Sequence, residues 1–375
     1  MIERNGIALK HNMQRIISEF DFQGEMISCR PYGNGHINDT YIVQFQVGNN
    51  IVPYILQRIN HHIFQNVDML MENISNVTAY LKTKITEQGG NPLRETLNLI
   101  SLKKGGDYLV DEDGNYWRSY LFITDAICRE RINQPEDFYH CGVAFGSFQN
   151  LLSDFPVSLL HEIIPNFHNT PSRYLDFEQA VQQDVMGRAK KVKDEIRFIR
   201  ARGSSMSALT GMLERGEIPQ RVTHNDTKLN NCMFDIYTGK IICVIDLDTV
   251  MPGIRAYDFG DSIRFGATTG AEDEPDLKKV SFSMPLFESY TKGFLKACGL
   301  EMKKSEVDSL VIGARLMTLE CGMRFLTDYL QGDVYFKTSR KDHNLDRCRT
   351  QLKLVSDMEN QISGMYRILY RYYSV

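Results

Sequence analysis

The stretch His224-Asn225-Asp226-Thr227-Lys228-Leu229-Asn230-Asn231, followed by Ile245-Asp246-Leu247-Asp248, decides the fold and the chemistry of this chain. Two apolar runs separate these segments, and a turn containing Gly239 lies between the runs. The pattern predicts a loop that leads into a β-hairpin. Because Asn231 enters the hairpin and Asp246 leaves it, we expect both residues at its open end, with Asp226 just before them.

Two carboxylates and one amide gathered in this way suit phosphoryl transfer, which needs positioning and charge neutralisation more than covalent help. Asp226 is predicted to accept the proton of a hydroxyl nucleophile. Asn231 and Asp246 supply the hard oxygen ligands that Mg²⁺ prefers. Acidic residues at hairpin ends are usually solvated turn formers, but the His-x-Asp-x-x-x-x-Asn spacing before an Asp on an apolar strand favours catalysis.

At these residues the chain resembles the aminoglycoside phosphotransferase and choline kinase superfamily, with its H-x-D-x-x-x-x-N loop, hydrophobic strand and Asp. The branch that it resembles most is the N-acetylhexosamine 1-kinases. That likeness rests on 223–266, Tyr32-Gly33-Asn34-Gly35-His36-Ile37-Asn38, 56–60 and 318–325. The resemblance implies a two-lobed protein-kinase-like fold, with ATP as co-substrate, Mg²⁺ as cofactor and the nucleotide held between the lobes.

The composition fits an ordinary enzyme of 375 residues, large enough for two or three domains. A formal net charge of -4 gives no electrostatic case for binding nucleic acid or an anionic membrane. The eight cysteines form no C-x-x-C pair, and no apolar run approaches the length of a bilayer span. We expect a cytoplasmic enzyme with small-molecule partners only, either a monomer or a dimer.

The order of secondary structure predicts an α+β fold with a sheet-rich front and a helical remainder. Strands are expected within 27–47, 54–59, 96–102, 108–110 and 117–124, with helices over about 8–20 and 67–86. Further helices are expected over about 135–152, 174–201, 204–215, 280–298, 304–331 and 345–372. We therefore divide the chain into an N-terminal lobe, 1–123, and a C-terminal lobe, 124–375. The resemblance implies that Phe122 and Ile123, at the boundary, contact adenine through their backbone.

Three residues before the second strand are candidates for ligand binding. Gly33 and Gly35 let backbone amides approach a phosphate, although a hairpin turn explains two glycines equally well. A lone histidine such as His36 is more often a structural hydrogen bonder. The resemblance favours a phosphate-covering loop and a sugar contact for His36.

Arg58 takes the place on the third strand where kinases usually carry a lysine, and a guanidinium can clamp two phosphates. Glu72, near the start of the following helix, is expected to pair with Arg58. The alternative is an ordinary surface ion pair. The placement on strand and helix favours a cofactor-binding role for both.

Four residues near the catalytic loop complete the predicted centre. Lys228 is expected to contact the γ-phosphate, the alternative being a solvated loop lysine. Asp248 is expected to bind a second Mg²⁺ or to position the sugar, and the resemblance makes Thr249 a sugar contact. Asp258, in a D-F-G-D run, is expected to cap the amides of a helix start and not to bind metal.

Arg324 and Tyr335 are the remaining acceptor-site candidates. The simple interpretation of Arg324 is an i,i+4 ion-pair ladder with Glu320 and Asp328. The resemblance aims Arg324 and Tyr335 at the sugar. We expect phosphorylation of the anomeric hydroxyl of N-acetylgalactosamine or N-acetylglucosamine. A kinase for another small alcohol, or a non-catalytic nucleotide-binding module, is the alternative.

Overall fold

The computed structural model describes residues 11–33, 37–129, 131–132 and 134–373. Ten strands are present in these ranges: β1 Glu25–Pro31, β2 Asp39–Val47, β3 Asn50–Ile59, β4 Leu109–Val110, β5 Tyr116–Leu121, β6 Ala126–Cys128, β7 Arg221–Thr223, β8 Cys232–Asp235, β9 Ile241–Val244 and β10 Met251–Gly253. The α-helices in the same ranges are α1 Met13–Glu19, α2 Val67–Glu87, α3 Pro92–Glu95, α4 Pro135–Leu151, α5 Thr170–Gln183, α6 Lys193–Arg200, α7 Ala208–Glu214, α8 Arg255–Gly266, α9 Met284–Cys298, α10 Lys304–Gln331, α11 His343–Asn360 and α12 Ile362–Tyr373.

The predicted α+β class is confirmed, with an antiparallel sheet in the N-terminal region and helices in the C-terminal region. The chain divides into two compact units. The first unit contains the described residues through Ile127 together with Ser158–Ile163 and Phe234–Asp248. The second unit contains Cys128–Val157, Ile164–Met233 and the described residues from Thr249 onward.

The first unit is built on a five-stranded sheet with the order β1-β2-β3-β5-β4. All of its strand pairs are antiparallel, and β3 aligns Gln57 with Arg118 and Arg58 with Trp117. Because side chains alternate between the faces of a sheet, Arg118 shares one face with Gln57, whereas Arg58 shares the other with Trp117. Trp117 is fully buried in an apolar core that also takes in Phe20.

The core of the second unit forms around α10, a 28-residue helix. Its buried positions Leu316, Leu319, Met323 and Leu326 recur every three or four residues and pack with apolar residues of α5, α6, α8 and α11. The helix α8 approaches α10 closely. A Cβ built on Gly260 would lie 2.4 Å from the carbonyl oxygen of Gly313, so the two helices are in backbone contact there.

The hairpin expected around Gly239 is confirmed, because β8 and β9 are neighbours in a three-stranded sheet and Gly239 has φ +68°. One long helix expected over 174–201 is wrong. It is interrupted between α5 and α6, where Asp184 and Gly187 take left-handed conformations with φ +39° and +63°. Hydrophobic periodicity continues through such a break, so the pattern alone hides it.

Two other boundaries also differ from the prediction. The helix expected over 345–372 is two helices, α11 and α12, which meet at Gln361. The strand expected over 96–102 is irregular, although the Ile100 amide still donates to the Ser119 carbonyl oxygen and the Leu121 amide to that of Asn98. Among the described residues, no helix is both long enough and apolar enough to cross a membrane.

Candidate active site

The predicted catalytic loop leaves β7 at His224 and enters β8 after a single 3₁₀ turn, Leu229–Asn231. Asn225 has φ +63°, a left-handed conformation that asparagine tolerates better than most residues. Its side-chain amide donates to the carbonyl oxygen of Thr249 at 2.8 Å. The hydroxyl of Thr249 in turn donates to the carbonyl oxygen of His224 at 2.7 Å. Thr249, predicted to contact the sugar, thus ties the loop to the segment before β10.

Two buried carboxylates of α8 hold the loop backbone. Asp258 accepts from the amides of His224 and Asn225 at 2.9 and 2.8 Å, and Asp261 accepts from the amide of Thr227 at 2.8 Å. Asp258 and Asp261 are three residues apart and therefore lie on one helix face. The predicted capping of a helix start by Asp258 is wrong: Asp258 fixes the catalytic loop, a contact between residues more than 30 positions apart.

Charge around Asp261 is balanced by its neighbours. Burial by itself would raise the pKa of Asp261, but Arg264 and Lys228 lower it overall, so the carboxylate is the stable form. Burial disfavours the charge on Lys228 as well. Asp226 and Asp261 outweigh that effect and raise the pKa of Lys228. The loop therefore carries a lysine that stays protonated beside two carboxylates.

Asp226 is oriented at both carboxylate oxygens. Lys228 Nζ lies 2.6 Å from Oδ1, and the amide of Asn231 donates to Oδ2 at 3.1 Å and to the Asp226 carbonyl at 2.8 Å. The Asp226 side chain remains 26% exposed. A carboxylate that is held in place but open on one side can accept the proton of a bound hydroxyl. The Asn231 nitrogen is engaged with Asp226, so its carbonyl oxygen is the atom suited to a cation.

Asp248, predicted to bind metal, has protein partners at both oxygens. Arg118 Nη1 lies 2.5 Å from Oδ1, and Asn38 Nδ2 donates to Oδ2 at 2.7 Å. Asp248 and Arg118 are both buried. The two predicted roles of Asp248, binding a second Mg²⁺ or positioning the sugar, stay predictions. Asp246 lies two residues before it with φ +63°.

The expected pair between Arg58 and Glu72 is wrong. Arg58 donates to Asp39 instead, with Nε–Oδ2 at 2.8 Å and Nη2–Oδ2 at 2.5 Å. Glu72 Oε2 contacts His161 Nε2 at 2.8 Å. Each has a nearer partner, because Asp39 is the residue directly opposite Arg58 on β2.

The remaining N-terminal candidates divide into two groups. Gly35 and His36 lie outside the described residues. Gly33 has φ +73° with open space where a Cβ would stand, so backbone conformation explains the glycine there. Phe122 donates its amide to Pro53 at 3.2 Å, and Ile123 is buried. Their contact with adenine stays a prediction.

Arg324 lies among aromatic rings of the second unit. Its guanidinium carbon is 5.4 to 5.8 Å from the ring centroids of Phe167, Tyr335 and Phe336. Each distance is within the range of cation–π contacts. Tyr335 is 64% exposed, so one face of this cluster is open.

The ion-pair ladder suggested for Arg324 is absent, since both carboxylates have other partners. Glu320 contacts His168 Nδ1 at 2.9 Å and accepts from Thr170 at 2.5 Å. Asp328 accepts from three successive backbone amides, those of residues 334–336, at 2.8 to 3.0 Å. Within the described ranges, Arg324 has no ion pair. Its charge still acts on Glu320, because burial raises the pKa of that carboxyl and His168 and Arg324 lower it.

Sequence reasoning missed two contributors, Arg118 and Asp261. The signal for Asp261 was present in the D-F-G-D spacing, which places two carboxylates on one face of a helix. The signal for Arg118 was an arginine inside the apolar strand Tyr116–Leu121, where burial requires a partner.

Comparison with known proteins supports the chemistry suggested by the loop. Residues 109–283 match the sequence model of the family described as "Phosphotransferase enzyme family". The matched stretch contains the loop 224–231 and the hairpin that follows it.

Solved structures share the fold over almost the whole chain. An aminoglycoside phosphotransferase from Alicyclobacillus acidocaldarius is 12% identical with a TM-score of 0.60, covering 98% of this chain and 99% of its own. A microcompartment-associated aminopropanol kinase is 15% identical with a TM-score of 0.55, covering 94% and 97%. A spectinomycin phosphotransferase in complex with ADP and its antibiotic is 12% identical with a TM-score of 0.53, covering 97% and 98%. At these identities the likeness shows the kinase-like fold.

Proposed function

We propose that this chain is an ATP- and Mg²⁺-dependent kinase that phosphorylates the anomeric hydroxyl of an N-acetylhexosamine. The observation that carries the proposal is the Asp226 carboxylate, oriented by Lys228 and Asn231 yet still open. In this proposal Asp226 accepts the hydroxyl proton as the oxygen attacks the γ-phosphorus, and ADP leaves. The match to a phosphotransferase family over residues 109–283 supports the reaction class.

The charge near Arg324 supports an acceptor that is not a cation. Arg324 carries no ion pair within the described ranges. The pKa of Arg173 is lowered by burial and, to a smaller extent, by the charge of Arg324. Two guanidinium groups that repel each other would also repel an amine, and the buried carboxylate of Glu320, which acts on both, offsets part of that repulsion. Aminopropanol, named for one similar structure, is such an amine. A neutral sugar with ring hydroxyls and an amide carbonyl instead suits a planar donor beside exposed Tyr335.

Magnesium would be held through oxygen atoms. The carbonyl oxygen of Asn231 and the carboxylate of Asp246 are the donors proposed from the sequence, and both are hard ligands of the kind Mg²⁺ requires. When bound, the ion neutralises charge on the transferring phosphoryl group. The charged carboxylate of Asp246 should contribute more to magnesium affinity than the amide of Asn231. We therefore expect Asp246→Ala to abolish productive use of Mg-ATP and Asn231→Ala to weaken it less.

A magnesium titration of initial rates tests both substitutions at fixed ATP. The titration of Asp246→Ala should fail to saturate, and that of Asn231→Ala should shift to higher magnesium. An unchanged magnesium dependence in Asp246→Ala would show that the ion is bound by other residues.

The acceptor is tested with a panel of free sugars and amino alcohols incubated with Mg-ATP, followed by ³¹P NMR. The proposal expects a sugar 1-phosphate, recognised by coupling of its phosphorus to the anomeric proton. N-acetylgalactosamine and N-acetylglucosamine are the first two sugars to compare, with ethanolamine and aminopropanol as cationic controls. Phosphorylation of an amino alcohol in preference to every sugar would refute the sugar assignment while leaving the kinase assignment intact.

A further inference from the structure

A buried cation on one face of the five-stranded sheet forms an ion pair with Asp248. The cation is Arg118, which is 1% exposed and stands opposite Gln57 in the β3–β5 register. Gln57 accepts from Arg118 Nε and Nη2 at 3.1 and 3.0 Å. The ring of Tyr120 lies 5.3 Å from the guanidinium carbon. Arg58, expected from sequence to be the cation of this sheet, is on the opposite face.

The ion pair between Arg118 and Asp248 fixes the turn that follows Asp246. Asp248 belongs to the single turn Leu247–Thr249, and its second oxygen accepts from Asn38. The Asn38 side chain is itself held, because its Oδ1 accepts from the backbone amide of Asn60 at 3.0 Å. The turn is thereby tied to the start of β2 and to β5, while β9 holds the other side of Asp246.

Electrostatics connects Arg118 to Asp246 as well. Burial by itself would lower the pKa of Arg118, but Asp248, Tyr120 and Asp246 together outweigh it and raise that pKa. Asp246 therefore lies within electrostatic range of the guanidinium. The backbone at Asp246 is left-handed, with φ +63°, a conformation that aspartate tolerates better than most residues.

We infer that Arg118 is a positioning residue for Asp246, which it holds in place through Asp248. This inference rests on the proposed role of Asp246 as a magnesium ligand. Arg118 and Asp248 neutralise each other's charge two residues after Asp246. Arg118 touches neither substrate nor metal in this assignment.

The experiment measures metal binding without turnover. Full-length protein is titrated by calorimetry with Mn²⁺ in the presence of a saturating non-hydrolysable ATP analogue. We expect Arg118→Met to raise the apparent metal dissociation constant at least tenfold. Arg118→Lys keeps a charge near Asp248 and should recover most of that loss. A metal constant within twofold of wild type in a folded Arg118→Met protein would overturn the inference.

A double substitution separates a positioning role from general destabilisation. If Arg118 acts through Asp248, then Asp248→Asn alone should give a similar rise, and Arg118→Met/Asp248→Asn should be no worse than either single variant. Independent, multiplying effects would overturn the inference. Asp248→Asn preserves side-chain shape and also serves if Arg118→Met does not fold. A lowered melting temperature with an unchanged metal constant would assign a purely structural role.

Arg58→Met is the matched comparison, because it removes an arginine one position away on the partner strand but on the opposite face. Arg58→Met should raise the apparent metal dissociation constant less than Arg118→Met does, and the reverse order would overturn the inference. The proposed function fails by a different outcome. A wild-type protein that binds the metal–nucleotide pair but phosphorylates no sugar keeps the role of Arg118 and loses the proposed acceptor.

Discussion

The catalytic loop and the surroundings of Arg324 belong to the same unit but are held by opposite means. The loop is fixed by buried carboxylates, with Asp258 and Asp261 accepting from its backbone amides. Arg324 is bordered by aromatic rings and is left without an ion pair among the described residues. The loop therefore has few alternative conformations, whereas the region around Arg324 is open to a ligand.

This difference indicates that substitutions in the two regions should have different effects. A buried polar network is stable only when every member has a partner, so a small change in it is costly. Aromatic contacts are less directional and leave Tyr335 exposed. We expect substitutions in the loop to affect turnover or folding, and substitutions near Arg324 to affect acceptor affinity alone.

The largest effect is expected from Asp226→Asn, which keeps the shape of the side chain and removes its basicity. Turnover should fall by about 10²–10⁴-fold, the usual contribution of general-base catalysis. Binding of ATP and of the acceptor should persist. Initial rates with calorimetry measure the two effects separately, and near-normal turnover would remove Asp226 from the mechanism.

Asp258→Asn should destabilise the folded protein, because the loop backbone loses one of its hydrogen-bond acceptors. One acceptor oxygen becomes an NH₂ group that faces the backbone N–H of His224 or Asn225. A buried donor left without an acceptor costs about 1–3 kcal/mol, and the free energy of unfolding should fall by that amount. Urea unfolding provides the measurement. Asp194→Asn, at a carboxylate that is 88% exposed, is the control and should change stability by under about 0.5 kcal/mol.

Arg324→Lys should give the reverse result, a change in acceptor use without a change in stability. Lysine keeps the charge but loses the planar fork that can donate to two oxygens. A lost bidentate contact costs about 1.5–3 kcal/mol, or roughly tenfold to over a hundredfold in kcat/KM for the sugar. Steady-state kinetics and a melting curve decide the matter. If kcat/KM for neither sugar moves, Arg324 does not contact the acceptor.

Tyr335→Ala should produce the smallest effect of the series. An exposed aromatic ring beside a sugar contributes about 0.5–1.5 kcal/mol, so the acceptor KM should rise only a few-fold while the KM for ATP stays constant. Tyr237→Ala is the matched control, because Tyr237 is 77% exposed in the turn between β8 and β9. A change in the KM for ATP in Tyr335→Ala would place the ring nearer the nucleotide than we propose.

The local sequence pattern correctly predicted elements that depend on neighbouring residues alone. The hairpin was recognised from two apolar runs around Gly239, and α10 was recognised from apolar residues every three or four positions. The break between α5 and α6 escaped because hydrophobic periodicity continues on both sides of Asp184. A left-handed residue interrupts the backbone without disturbing that pattern.

The partners of charged residues could not be predicted in the same way. Glu320 and Asp328 stand at the correct spacing to pair with Arg324, yet His168 and the backbone of residues 334–336 take them. Asp258 was expected to cap the start of its own helix, but it accepts hydrogen bonds from a loop more than 30 residues earlier. The partner of a charged side chain depends on its distance to residues of other elements, and spacing along one helix does not give that distance.

The backbone contact between α8 and α10 has a consequence for laboratory evolution of this protein. Alanine at Gly260 would set its methyl group 2.4 Å from the Gly313 oxygen, and alanine at Gly313 would lie 2.2 Å from the Ala256 oxygen. Either methyl group would force α8 away from α10, and α8 carries the two carboxylates that hold the catalytic loop. Libraries aimed at new acceptors should keep both glycines and place their diversity around Arg324 and Tyr335.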